Sequence, residues 1–442
     1  MADARTTLSP AEREVGRLCT DLIRIDSTNP GDGSGPGERA AAEHVAALLT
    51  EVGLDVELFE SAPGRATVVT RIEGADPARG ALVLHGHTDV VPARAQDWSV
   101  DPFSGDEIDG VIWGRGAVDM KGMDAMFLSV VRQLVREGRR PARDVVLVMF
   151  ADEEAGGLAG SHWVVEHRPE LFAGATEAIS EVGGYSVQVA GQRAYLLQTA
   201  EKGLAWLRLV ADGRAGHGSQ VNHDNAVTHL AAAVARIGEH RWPLRLTPTV
   251  RALLEGVADL TGLPFDPDDE AAADALVAAL GPASRFVGAT LRHTTNPTRL
   301  DAGYKENVVP GSAQAVVDAR FLPDHEDELD ETLARLLGPH VRIASQHRDI
   351  GTSAPFAGHL VDAIAAAVAA EDPGATVLPY MLSAGTDNKA LSRLGIAGYG
   401  FAPLRLPADL DFPAMFHGVD ERVPVESLQF GTRVLDRLLT TC

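Results

Sequence analysis

Two histidines and a spread of acidic residues stand where chemistry could be done. His87 and Asp89 lie in LHGHTDVVP (84–92), Asp119 in GRGAVDMKG (114–122), and Asp152, Glu153 and Glu154 directly follow or close VVLVMFA (145–151). Glu181 follows EAIS (177–180), and His417 lies in MFHGVDER (415–422). Neutral imidazoles with carboxylates and no cysteine suit borderline or hard divalent ions such as Zn, Mn or Co. Charge favours two ions over one: Asp119, Glu154 and Glu181 brought together alone would repel and take up protons, whereas two dications more than neutralise them. The surplus positive charge would lower the pKa of a water and supply a nucleophile near neutral pH, as paired ions do in hydrolysis.

Most of these residues sit just past a predicted strand. ALVL (81–84) and VVLVMF (145–150) read as buried strands, and the segment from Met123 to Glu137 between them has helical periodicity. The alternation predicts an α/β domain, a mainly parallel sheet with helices on both faces, and such sheets bind ligands at the C-terminal ends of their strands. After Gln198 the character changes. AWLRLVA (205–211) alternates, an Ala-rich helix is predicted near 226–237, and AQAVVDARF (313–321) reads as a later strand. These features predict an inserted α+β domain over residues 201–350, enclosed by segments 1–200 and 351–442 of the first domain, with the helix 361–370 carrying the chain back. GDGSGPG (31–37) reads as a loop and FDPDDEAAADA (265–275) as an acidic turn into a helix.

Composition narrows the classes. A chain of 442 residues is expected to form two domains, and 45% hydrophobic with 23% charged residues is ordinary for a globular protein. The net charge of −23 argues against nucleic acid or anionic lipid as a partner, so an anionic substrate must meet local cations. MADARTTLSPAEREV has no apolar targeting region and no apolar run is long enough to span a bilayer, which places the chain in the cytoplasm as an expectation. Cys19 and Cys442 form neither a disulfide framework nor a metal site. GRGAVD lacks the third glycine of a dinucleotide loop, and no G-x-S-x-G elbow is present.

Singly, each candidate has an ordinary explanation. A histidine near a strand end is most often structural, DEE after a strand suits a helix N-terminus, and GRG is commonly a turn. Their joint arrival at strand ends of one sheet is harder to assign to separate causes.

HGHTDVVP, WGRGAVDMKG, ADEEAGG, SEVGG, GRAGHGS, ENVVPG with VDARFLP, SAGTD and FHGVDER occur in that order over nearly the whole chain. In this the sequence resembles the zinc aminoacylase and carboxypeptidase family that includes succinyl-diaminopimelate desuccinylase, acetylornithine deacetylase and glutamate carboxypeptidase. The resemblance implies a metallopeptidase catalytic domain with an inserted lid that commonly makes a homodimer. It implies Asp119 as a bridge between two metal ions, most often zinc, with His87 and Glu181 completing one site and Glu154 and His417 the other. Glu153 would be the general base, and the Asp89 side chain would accept the other N–H of the His87 ring. His85 is left as structural.

From the lid, the resemblance makes His217 the histidine that steadies the oxyanion, often from a partner subunit, and Asn307 and Arg320 substrate-binding residues. Read from the residues alone, Asn307 could cap a turn before Pro310 and Arg320 could pair with Asp318 or Asp324. Gly385 would let the backbone approach a ligand closely. A glutamate at position 181 leans, within the family, toward deacylases and carboxypeptidases, hence an N-acyl amino acid or small peptide with a free carboxylate. SEVGG departs from the GEP-like form of many deacetylases, and residues 237–300 are expected to make a longer lid than compact relatives need. A dipeptidase, a biosynthetic N-deacylase and a non-catalytic metal-binding relative are the alternative expectations.

Overall fold

The computed structural model describes residues 8–442; the stretch read for a targeting region begins in residues 1–7, outside the described residues. The strand Ala81–His87 lies between Val145–Phe150 and Ala175–Ser180 and runs parallel to both. Ala397–Gly400 continues the parallel set beside Ala175–Ser180, and Thr376–Leu382 lies parallel to Gln192–Glu201. The margins are antiparallel, with Glu57–Ala62 on Arg65–Ile72 and Ser186–Val189 on Gln192–Glu201.

Side chains of a strand alternate between faces, and here both faces are covered, so the central strands read as unbroken apolar runs. Leu82 and Leu84 share one core with Val145, Leu147 and Met149, while Val83 shares the other with Val146, Val148 and Phe150. Helix Lys121–Arg136 packs on the first face with Pro10–Ile23 and Val425–Thr441. Helices Ser161–His167 and Asn388–Ser392 close the second through Val164, Ala390 and Leu391. The α/β expectation with helices on both faces therefore holds.

The second sheet is antiparallel, ordered Thr294–Ala302, Ser312–Phe321, Gly203–Asp212, Val341–Asp349. Alternation along Gly203–Asp212 sends Ala205, Leu207, Leu209 and Ala211 into a separate core and leaves Trp206 and Arg208 on the other side. Helices Ala226–Glu239 and Glu326–Leu337 cover the buried side.

Residues 237–300 do not simply enlarge this insertion. Helices Pro248–Thr261, Glu270–Ala278 and Ser284–Gly288 leave the second sheet, and Val250, Leu253, Leu254, Val257, Leu276 and Val287 join the core of the first domain. Helix Pro248–Thr261 lies against Thr376–Leu382; a Cβ on Gly256 would come within 2.5 Å of Leu378, so glycine permits that approach. The apolar stripes are legible in sequence, but the stripe does not name the core that receives it. Leu254 is fully buried, so Leu254→Ala should lower unfolding stability by about 2–5 kcal/mol in a denaturant titration. A loss below roughly 1 kcal/mol would mean that this excursion is only draped on the larger domain.

Candidate active site

His87 ends its strand with the ring buried. Its Nδ1 lies 3.0 Å from the backbone oxygen of Asp89. A carbonyl only accepts, so Nδ1 carries a proton and Nε2 is the nitrogen left to meet the acidic cluster. That nitrogen faces Asp119 Oδ1 at 3.1 Å, Glu181 Oε2 at 3.6 Å and Glu153 Oε2 at 3.9 Å.

Asp119 stands in the loop before helix Lys121–Arg136, joined to Met120 by a cis peptide bond. Its Oδ2 lies 3.3 Å from His417 Nε2, which is also 3.0 Å from Glu154 Oε2. One carboxylate thus addresses two histidines from distant parts of the chain. At the end of Val145–Phe150, left-handed backbone at Asp152 (φ 66°) starts the tight turn Glu153–Ala155. The turn sends its two glutamates apart: Glu154 joins His87 and Asp119, and Glu153 joins His87 and Glu181.

Burial is the first influence on every group here except His417. It pushes Glu153 and Glu181 well above the usual carboxylate range, with neighbouring carboxylates adding to it, and raises Glu154 to about 7. It also opposes charge on Asp119 and His87. Hydrogen bonds from His417 and His87 nevertheless hold Asp119 low, and Glu181 with Asp119 holds His87 well above the ordinary imidazole value. Hydrogen bonds to Asp119 and Glu154 raise His417 to about 10. Four carboxylates and two imidazoles converging in this way need added positive charge: without an ion, protons held on His87, His417 and the glutamates supply it, and a divalent cation would take their place. The donor set, all N and O, therefore fits two divalent ions.

Asp89 departs from expectation. Its backbone oxygen takes the His87 N–H, while its carboxylate accepts from the backbone N–H of Glu153 (3.2 Å) and Glu154 (3.0 Å) and from Asn29 Nδ2 (2.9 Å). The carboxylate oxygen is 3.5 Å from the ring nitrogen and serves chiefly to hold the turn that aims both glutamates. Asp89→Asn places an amide donor against those N–H groups. It should weaken metal affinity or turnover by about 10–100-fold, measured by metal titration and steady-state rates. Unchanged values for both would separate Asp89 from the site.

A cleft enclosing about 270 Å3 opens over this cluster and is lined by Asp119, Glu153, Glu154, Glu181 and His417 together with Arg320 and Gly385. Arg320 reaches it already paired: Nε and Nη2 donate to Asp318 at 2.7 and 3.1 Å. Gly385 lines the cleft too, but a Cβ there would meet Lys389 Cε at 2.5 Å, so it is the Lys389 side chain that Gly385 accommodates directly. His217 and Asn307 are exposed and do not line the cleft; they neighbour each other on the short ladder Gly216–His217 with Val308–Val309, where Gly218 N donates to Asn307 O at 2.8 Å.

Three contributors escaped the sequence reading. Buried Glu421 accepts from Arg115 Nη1 and from the N–H groups of Gly116, Val118 and Asp119 at 2.6–3.0 Å, and so shapes the loop that presents Asp119. Opposite charges in the WGRG and VDER motifs were the available signal. Lys389 and His162 also line the cleft, but nothing in their spacing marks them. His85 gains a partner: its Nε2 is 2.9 Å from Asn388 Oδ1, and burial pushes its pKa down to about 4, as suits a neutral structural histidine.

Residues 83–441 match the family model described as Peptidase family M20/M25/M40. Aminoacylase-1 of Homo sapiens is 26% identical over 452 aligned positions, covering 98% of this chain and 97% of that protein. Among solved structures, an M20 family metallo-carboxypeptidase from Sulfolobus solfataricus aligns with a TM-score of 0.73 at 18% identity, covering 97% of this chain and 99% of the other. Human carnosine dipeptidase 1 aligns at 0.66 and 16% identity, covering 97% and 96%; at these identities the likeness is one of fold.

Proposed function

The chain belongs to the M20/M25/M40 peptidase family, and from that premise we propose that it hydrolyses the amide bond of an N-acyl amino acid or small peptide bearing a free carboxylate. The observation that carries the reading is the position of Asp119, whose two oxygens lie 3.1 and 3.3 Å from the Nε2 atoms of His87 and His417. In this reading Asp119 would serve both of two divalent ions, with His87 and Glu181 completing the hold on one and Glu154 and His417 on the other. Zinc is the first choice, with cobalt or manganese accepted by the same donors. When bound, the ions supply a lowered water pKa and polarisation of the substrate carbonyl.

The protein's own part is proton transfer and placement. The carboxylate of Glu153, left outside both ligand sets, takes a proton from the attacking water and returns it to the leaving nitrogen. Arg320, with Nε and Nη2 held by Asp318, keeps Nη1 for a substrate carboxylate. Gly385 allows the loop before Asp387 to border the bound substrate. His217 and Asn307 are exposed on the inserted domain, which suits residues that act across a homodimer made by that domain. A cytoplasmic location belongs to the same reading; among the described residues no helix is long and apolar enough to cross a membrane.

The test is a panel of N-acyl amino acids and dipeptides given to zinc-, cobalt- and manganese-loaded protein, beside chelated protein. Cleavage of N-acyl amino acids only with metal supports the reading. Cleavage confined to dipeptides would make the chain a dipeptidase, and failure to take up metal would remove the basis of the reading.

A further inference from the structure

The lining of the cleft is chemically mixed. It includes Arg320, Lys389, whose Nζ donates to Lys202 O at 2.8 Å, and Trp206, whose Nε1 donates to Asp318 at 3.1 Å beside Arg320. It also includes an aromatic pair, Phe286 and Phe416, the latter next in sequence to His417, and Val182, the neighbour of Glu181. Phe286 and Phe416 meet edge to face, with centroids 5.7 Å apart. Behind them Phe416 packs on Phe412 at 5.5 Å, and Phe412, itself buried, packs on Tyr185 at 5.2 Å.

The wall is anchored as well as apolar. Phe286 belongs to helix Ser284–Gly288, whose Val287 is buried in the main core and whose Arg285 pairs with Asp411 at 3.1 Å, just before the aromatic loop. The excursion that joins the first domain thereby delivers one residue to the cleft. An anchored pair of rings presents apolar surface to a ligand without first having to be ordered.

Resting on the proposed amide hydrolysis, the orientation of a substrate follows. With its carboxylate at Arg320 and its scissile carbonyl over Asp119 and Glu153, an N-acyl amino acid leaves its acyl group for the lining that adjoins Glu181 and His417, where Val182 and Phe416 stand. We propose that Phe286 and Phe416 form the acyl subsite, and that this chain prefers amino acids N-acylated with an apolar group of ring or branched-chain size over N-acetyl amino acids. An acetyl methyl covers little of this wall, whereas a phenyl or isobutyl group takes much of it out of water.

N-acetyl-, N-isovaleryl- and N-benzoyl-leucine test this on one amino acid. Two readouts are taken for wild type, Phe286→Ala and Phe286→Leu: kcat/KM of the metal-loaded protein, and calorimetric Kd with Glu153→Gln added to each to prevent turnover. The expected wild-type preference for the two larger acyl groups over acetyl is at least about 10-fold. Phe286→Ala should bring that ratio close to one, and Phe286→Leu should lower the benzoyl ratio more than the isovaleryl ratio. The leucine variant carries the test if the alanine variant does not fold. Hydrolysis with no acyl preference, or a preference unmoved by either variant, overturns the subsite and leaves the amide-hydrolase reading standing. No hydrolysis, but a Kd preference that disappears with Phe286, keeps the subsite and overturns the reaction; neither hydrolysis nor selective binding overturns both.

Discussion

Glu153→Gln is expected to lower kcat by about 1,000-fold while the protein keeps its fold and its metal. The side chain lies beside His87 and Glu181 at the cleft floor, 3.9 Å from His87 Nε2, yet it is not the glutamate that meets His417. Burial first, and then Glu181, raise its proton affinity well above that of an ordinary carboxylate. A base meant to hold a proton briefly and pass it on needs such a setting. Glutamine preserves shape and hydrogen bonding but cannot accept the proton. The loss should fall on kcat and kcat/KM alike, with KM little changed, because the missing interaction exists mainly in the transition state. Steady-state rates with metal analysis of the same samples check this. Loss of an ion from the variant would make Glu153 a ligand instead, since it also stands within ligating reach of His87 and Glu181.

Asp119→Ala should abolish activity by a different route, the loss of metal. One of its oxygens lies 3.1 Å from His87 Nε2 and the other 3.3 Å from His417 Nε2, so a single substitution loosens both halves of the site. Metal content should fall from about two ions per chain to below one, and turnover by more than about 1,000-fold. The sign of the stability effect separates this from simple misfolding. In the wild type, ions that bind only the folded chain should stabilise it by about 4 kcal/mol at a thousand times the dissociation constant, and the melting temperature should rise with metal. In Asp119→Ala the ion-free protein loses the hydrogen bonds that His87 and His417 make to this carboxylate and so starts from a lower melting temperature, and metal no longer raises it. Paired thermal scans with and without metal read this directly. A variant that retains two ions would show that Asp119 is not the bridge.

Asp119 and Glu421 also show how far local sequence reaches. That Asp119 stands in a glycine-rich loop is visible in GRGAVDMKG. What shapes the loop is a carboxylate some three hundred positions later, accepting three of its backbone N–H groups. Arg320 is the complementary case: the residue types offered a choice between substrate and Asp318, and the strand Ser312–Phe321 puts i and i+2 on one face, so within the chain the guanidinium closes on Asp318. Asp89 differs more finely. Proximity to His87 was legible, but whether the ring meets its carbonyl or its carboxylate depends on where the turn at Glu153 and Glu154 lies, and that turn claims the carboxylate.

The sequence by itself determined the local matters: the buried strands, the alternation that makes one face of Gly203–Asp212 apolar, and the supply of nitrogen and oxygen donors at strand ends. Side-chain periodicity records whether a segment will bury a face and how its neighbours along the chain are spaced. Only the tertiary structure decided which buried surface each face would meet. It sent helix Pro248–Thr261 to the first domain's core, brought His417 opposite His87 across Asp119, set Phe286 beside Phe416, and left His217 and Asn307 at the surface. Apolar attraction is non-directional, so a hydrophobic stripe fits many partners, and the choice among them rests on close packing and on pairing buried polar groups across the whole chain.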